Sequence, residues 1–280
     1  MRILKFCLSL LLLSAFIFMA LGWQVKPQAL SQTLQLEALE WVKLTIVYDN
    51  YPYVEGLKTA WGFSCLVETP GETILFDTGG NPEILLENLE KLGFKPSEVD
   101  LVVLSHIHGD HVGGLRGLLK RGLHPDVYLP KSFPKSFKEE LKACGCRVIE
   151  VSGPTRICRG VGTTGEMGSA PREQALLINT REGLIMLTGC AHPGVDRMAE
   201  KASKLTGRRL YLVLGGFHLA GSSEQRISQI IEGFSRLGVV KVAPCHCSGD
   251  LARKMFREAF KENFLEAGVG KTIIIGKPDC

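Results

Sequence analysis

The chain has 280 residues, 45% of them hydrophobic, and its 33 basic and 29 acidic side chains leave a net charge of +4. That length buries a sizeable core in one large domain or two small ones, and the composition excludes a disordered chain. With charge so nearly balanced, no dense Lys/Arg block and no interleaved aromatics, nucleic acid is set aside as the main partner.

The first element is apolar. Arg2 and Lys5 precede a stretch from Phe6 to Trp23 that ends with the small residues Ala20 and Gly22 near its close. Residues 1–23 read as an export signal or a membrane anchor, because eighteen apolar residues fall between the about 7–15 of a signal core and the about 20 of a spanning helix. A buried helix is the poorer alternative, since the stretch has no polar face to turn to water. The protein is therefore expected in the periplasm or outside the cell, or tethered to the membrane by this segment alone. Residues 24–40 read as a polar linker, and 41–280 as one folded domain.

Within that domain, short apolar runs alternate with helical patterns. VKLTIVYD (42–49), GFSCLVET (62–69) and the start of TILFDTGG (73–80) predict strands, and NPEILLENLEKLG (81–93) predicts a helix with Pro near its start and Gly at its end. VDLVVLS (99–105) is a buried strand. Further strands are expected at 126–130, 146–151, 174–180, 183–189, 210–216, 239–245 and 272–276. Helices are expected at 137–144, 194–203, 224–238 and 251–264. So many strands mixed with helices predict a single α/β domain of layered sheets. Nine cysteines include the pairs Cys144/Cys146 and Cys245/Cys247, a Cys-x-Cys spacing that rarely closes an unstrained disulfide.

The strand at 99–105 runs into SHIHGDHVGG (105–114), which holds three of the chain's seven histidines. His106 and His108 can point the same way from a strand end, while Asp110 and His111 fall on the turn beyond, so the loop offers two half-sets of ligands for two cations. Gly109, Gly113 and Gly114 give the backbone room to bend around them. A chance match at this spacing has a probability on the order of one in ten thousand. Zinc takes about four ligands, so the loop alone cannot complete either site. Three more histidines each follow an apolar run in a Gly- or Cys-containing turn: His192, His218 and His246. A lone histidine after a strand is usually structural, but three at equivalent strand ends suggest convergence on one site. His124 has no such context.

SHIHGDH together with the upstream TILFDTGG resembles the metallo-β-lactamase superfamily. WGFSCLVET, TGCAHPG, GGFHL and PCHCSGD make the likeness closer to the branch named for 7,8-dihydropterin-6-methyl-4-(β-D-ribofuranosyl)aminobenzene-5'-phosphate synthase, and it spans about Val42 to the C-terminus. The resemblance implies an αββα four-layer sandwich of two mixed sheets flanked by helices. It implies two divalent ions, Zn2+ first and Mn2+ or Fe2+ otherwise, one held by His106, His108 and His192 and the other by Asp110, His111 and His246. It places Asp77 behind the ligands, steadying their loop. Many superfamily hydrolases carry a metal-bridging aspartate where this chain has Cys190, which either ligates or packs as a small buried residue. His218 contacts the substrate or transition state, or orients a ligand. Glu166 and Glu173 line the pocket or belong to a glycine-rich turn, and Lys131 and Lys135 attract an anionic substrate or are simply solvated.

Two cations lower the pKa of a shared water and polarise a carbonyl or phosphoryl oxygen, with Asp110 taking a proton and His218 bonding to developing charge. In the synthase reaction the same ions grip a diphosphate leaving group. Export sits poorly with a cytosolic pterin pathway, so a hydrolase of an ester, lactone, thioester or phosphoester is the alternative, and a non-catalytic metal sensor the second. Di-iron redox relatives place a carboxylate at the position of His108 and carry a flavin domain for which this chain has no length. The expected partner is a small, anionic substrate.

Overall fold

The computed structural model describes residues 33–277; the apolar leader and residues 24–32 lie outside them. Thirteen strands form two mixed sheets. The first, seven-stranded, has the order β13-β1-β2-β3-β4-β5-β6, from Trp41–Tyr48 (β1), Ser64–Glu68 (β2), Thr73–Phe76 (β3), Leu101–Val103 (β4), Asp126–Pro130 (β5), Arg147–Val151 (β6) and Thr272–Gly276 (β13). The second, six-stranded, has the order β12-β11-β10-β9-β8-β7, from Thr155–Cys158 (β7), Val161–Thr163 (β8), Leu176–Asn179 (β9), Leu184–Thr188 (β10), Leu210–Gly216 (β11) and Lys241–Cys245 (β12).

Helices cover the outer faces: Pro82–Lys91 (α1), Leu115–Lys120 (α3) and Lys135–Ala143 (α4) on the first sheet, Val195–Thr206 (α5), Glu224–Arg236 (α6) and Asp250–Phe260 (α7) on the second. The short helix Gly109–Val112 (α2) lies within the histidine loop. The layering follows from side-chain alternation along fully buried strands. In β10, Ile185 and Leu187 face the other sheet and join a core with Leu44, Ile74 and Phe76, while Leu184 and Met186 face α5 and α6 and join Met198, Ile230 and Phe234. Leu75, Val102 and Val127 likewise point away from the sheet–sheet core to meet Leu85, Leu118 and Leu141 of α1, α3 and α4. Three apolar clusters between four layers make the expected αββα sandwich.

Two details differ from the sequence reading. β7 and β8 are unpredicted, because TRIC is only partly buried and shows no clean alternation, and VGT opens a stretch rich in turn residues. The end of the linker is also part of the fold. Leu34 and Leu39 are buried, their amides donate to the carbonyls of Leu205 (2.7 Å) and Asn179 (2.9 Å), and Glu37 pairs with Arg156 and Arg159. Leu34 and Leu36 alternate with polar neighbours, so a segment that is polar on average still has one apolar side.

β3 and β4 are parallel, as are β10, β11 and β12. Their carboxyl ends therefore emerge along one edge of the sandwich, where ligands bind in α/β sheets. Every histidine singled out above except His124 lies in the loops that leave those ends. Among the described residues, no helix is long and apolar enough to cross a membrane, and all seven cysteines are free thiols.

Candidate metal centre

The side chains that converge fall into two triads. One donor atom each from His106, His108 and His192 lies within 4.8 Å of the others, and the same holds for Asp110, His111 and His246. The histidine rings pack edge to face: His106 lies 4.7 Å from His108 and 4.8 Å from His192 between centroids, and His111 lies 5.0 Å from His246. Ring nitrogens of His192 and His108 stand 3.2 Å apart, as do those of His111 and His246. Asp110 has a carboxylate oxygen 3.3 Å from His246 Nε2 and 3.6 Å from His111 Nε2. His124 stays apart, its Nδ1 2.7 Å from the carbonyl oxygen of Cys144.

Whether these residues suit a cation is decided by where the other ring nitrogens go. His111 Nδ1 faces Asp77 Oδ2 at 2.7 Å, His246 Nδ1 faces Asn50 Oδ1 at 3.0 Å, and His106 Nδ1 faces Ser105 Oγ at 2.8 Å. A ring that donates its Nδ1 proton to an oxygen presents a bare Nε2 lone pair. The Nε2 of His106 is buried and has no hydrogen-bond partner among the described residues, a cost a folded protein carries at a binding site. Burial, reinforced by the neighbouring histidines, holds His106 well below the ordinary histidine range and His192 down at about 4, so both are neutral. Burial works against protonation of His111, but the charge and hydrogen bond of Asp77 outweigh it and keep the ring basic. Burial alone would raise Asp110; the hydrogen bond from His246 and the charge of His111 hold it below the usual carboxylate range. Two neutral imidazoles, a carboxylate, a basic His111 whose proton a bound ion displaces, and an orphaned inward nitrogen fit a divalent ion of the Zn2+, Mn2+ or Fe2+ kind.

The scaffold is rigid on both sides. Asp77 accepts from the amide of Ser105 (2.7 Å) and its hydroxyl (2.6 Å), tying the end of β3 to the end of β4. The carbonyl of His111 accepts from the amide (2.7 Å) and hydroxyl (3.0 Å) of Thr78. A Cβ at Gly113 or Gly114 would collide with the carbonyls of Gly80 or Thr78, so those glycines permit the loop to close down, whereas Gly109 stands in open space. Of five non-glycine residues with positive φ among those described, Asp77 (57°), Ala191 (60°), His218 (52°) and His246 (48°) are at this edge. Such conformations cost about 1–3 kcal/mol each and persist at functional sites.

Glu173, expected to line the pocket or to belong to a glycine-rich turn, stands behind the metal-facing residues. It is fully buried, and its oxygens accept from the amides of Cys190 (2.9 Å), Ala191 (2.8 Å) and His192 (2.8 Å), so it shapes the turn that presents His192. Burial pushes it up to about 7 although those amides pull the other way. Glu166 accepts from the amide of Ser132 (2.6 Å) and pairs with Arg172 (3.2 Å), while exposed Lys135 pairs with Glu139 (3.4 Å). Lys131 is an exposed residue whose carbonyl holds Lys138. None of these three joins the converging groups. Cys190 does: its Sγ lies 3.2 Å from His111 Nε2. His218 is exposed, its ring 4.3 Å from that of His192. Asn50, Ser105, Cys247 and Trp61 escaped the sequence reading. Ser105, Cys247 and Trp61 lie inside the stretches SHIHGDH, PCHCSGD and WGFSCLVET without being assigned a role there, and Asn50 belongs to no spacing pattern.

Residues 62–173 match the metallo-beta-lactamase superfamily model. The chain is 31% identical to the 7,8-dihydropterin-6-methyl-4-(beta-D-ribofuranosyl)-aminobenzene-5'-phosphate synthase of Methanocaldococcus jannaschii, over 82% of this chain and 95% of that one. Among solved structures, Tm1679, a metal-dependent hydrolase of the beta-lactamase superfamily, superposes with a TM-score of 0.72 at 26% identity, over 84% of this chain and all (100%) of that one. A diphosphatase of the PhnP family shares the fold, with a TM-score of 0.57 at 15% identity over 85% of this chain and 98% of that one. The chain belongs to the metallo-beta-lactamase superfamily, in the branch that holds the dihydropterin synthase.

Proposed function

We propose that this protein is a dinuclear metal-dependent enzyme that acts on a small, anionic molecule, either by displacing diphosphate from the carbon that carries it or by hydrolysis at a phosphoryl or carbonyl centre. The observation that carries the reading is the pair of triads with ring nitrogens turned inward and, for three rings, the opposite nitrogen bound by Ser105, Asp77 or Asn50. His106, His108 and His192 would hold one ion, and Asp110, His111 and His246 the other. Such ions, when bound, lower the pKa of a water toward neutrality and polarise a phosphoryl or carbonyl oxygen.

The chain's own groups do the rest. Asp110, partly exposed beside His246, takes the proton of the attacking water or hydroxyl. His218, exposed at the rim and ring to ring with His192, donates a hydrogen bond to charge developing on the substrate. Trp61, 58% exposed and 4.8 Å from the His246 ring, offers an aromatic face for a planar part of the substrate.

The likeness to the dihydropterin synthase along nearly its whole length supports loss of diphosphate to a new bond as the first reaction to test. The likeness to Tm1679 supports hydrolysis as the second. Incubating metal-loaded protein with a metabolite mixture, and following which compound disappears and whether diphosphate is released, separates the two. Turnover by neither route, with metal bound, overturns the enzymatic reading. The leader read from the sequence supports export of this protein or its tethering to the membrane, and cell fractionation of the full chain tests this.

A further inference from the structure

Beyond the two triads, a third cluster stands at the same edge. Donor atoms of Cys190, His218 and Cys247 lie within 4.8 Å of one another. Both cysteines are almost fully buried, at 3% and 4% exposure, while His218 faces outward. The three residues come from three loops, after β10, β11 and β12, and those loops are fastened together. The amides of Leu219 and Ala220 both donate to the carbonyl of Cys247 at 3.2 Å, the amide of Phe217 donates to Ser248 Oγ at 3.1 Å, and that of Gly216 donates to the carbonyl of Gly189 at 3.1 Å. Gly216 permits this approach, since a Cβ there would meet the carbonyl of Gly189 and the sulfur of Cys247. His218 itself is held at a φ of 52° by these bonds, one of four such non-glycine residues at this edge.

We propose that Cys190, His218 and Cys247 form a further metal site, for a borderline-soft divalent ion such as Zn2+, beside the histidine centre. Two thiolates and one imidazole suit zinc, and three protein ligands are the number found where zinc keeps an open position. Zinc–sulfur bonds of about 2.3 Å and zinc–nitrogen bonds of about 2.0–2.1 Å set two sulfurs and a nitrogen roughly 3.5–3.8 Å apart in a tetrahedron. The donors stand at most 4.8 Å apart, so closing on an ion requires shifts of about an ångström or less. Binding converts both thiols to thiolates and releases their two protons to solvent. Cys190 also lies 3.2 Å from His111, so its sulfur adjoins both sites. His218 would serve here as a ligand through one ring nitrogen, which leaves its other N–H free to donate to the substrate. The site does not depend on the dinuclear reading.

The test is titration of the full-length, reduced, metal-stripped protein with Co2+, reading equivalents bound and thiolate-to-cobalt charge-transfer absorption. Wild type shows that absorption; Cys247→Ser and His218→Ala each bind about one equivalent fewer, and Cys247→Ser weakens the absorption. His108→Ala keeps it. Wild-type binding and absorption in Cys247→Ser, in protein whose unfolding midpoint is unchanged, overturn the site, as does a Cys190–Cys247 disulfide found by mass spectrometry of the unreduced protein. His218→Ala, an exposed position, repeats the test should Cys247→Ser fold poorly. A His108→Ala variant that binds metal like wild type counts against the histidine centre and leaves the thiolate site standing.

Discussion

The two halves of the histidine cluster are built differently. His106, His108, Asp110 and His111 come from one loop of six residues, while His192 and His246 come from separate loops far along the chain. The compact half is clamped by neighbours of the same sheet, with Asp77 and Thr78 at the end of β3 gripping Ser105 and His111. The dispersed half is framed by hydrogen bonds between its own loops, and its ligands are aimed by single side chains from elsewhere: Glu173 holds three amides of the turn at Cys190 to His192, and Asn50, at the end of β1, holds both the ring and the carbonyl of His246. A loop that carries several ligands needs a rigid seat, whereas a loop that carries one needs a partner that fixes its rotation.

The largest expected effect comes from the compact half. His108→Ala loses about one metal equivalent and turnover falls by more than the about 10–100-fold that outer partners cost; metal analysis with an activity assay checks this. Asp77→Asn follows. Its amide cannot accept from His111 and from both Ser105 groups as the carboxylate does, so metal affinity falls about 10–100-fold at the His111 site, measurable by competition with a chelator.

Glu173→Gln tests the dispersed half. One of three amide bonds loses its acceptor, and stability falls by about 1–3 kcal/mol in denaturant unfolding, with weakened metal binding at the His192 triad. Asn50→Ala frees the His246 ring and costs about tenfold in affinity. Glu173 supports only the turn of His192 and Asn50 only His246, so each of these two variants acts on one triad, whereas Asp77, which reaches His111 directly and His106 through Ser105, acts on both. Equal loss at both sites in Glu173→Gln or Asn50→Ala breaks the comparison. The smallest effect belongs to Trp61→Ala, which raises KM about two- to tenfold, from about 0.5–1.5 kcal/mol of lost stacking, and leaves metal content unchanged.

The same asymmetry explains what could be read before folding. The compact half is legible because its ligands recur at fixed short spacing in a loop that follows a buried strand. His192 and His246 were recoverable only through the repetition of a histidine after successive apolar runs, which is a statement about parallel strands ending together. Their supports were not legible. Glu173 looks like any glutamate near a glycine-rich turn until burial shows its oxygens capping three amides, and Asn50 is one asparagine among turn residues. The layers were readable because fully buried strands form continuous apolar runs, as in LIMLT. The partly exposed edge strand TRIC was not, for want of that signal.

Anomalous diffraction from crystals of the metal-loaded protein tests the central claim most directly. The account predicts two ions within the histidine cluster, one bound by His106, His108 and His192 and the other by Asp110, His111 and His246. A single ion there, or any of those six side chains turned away from both, contradicts it.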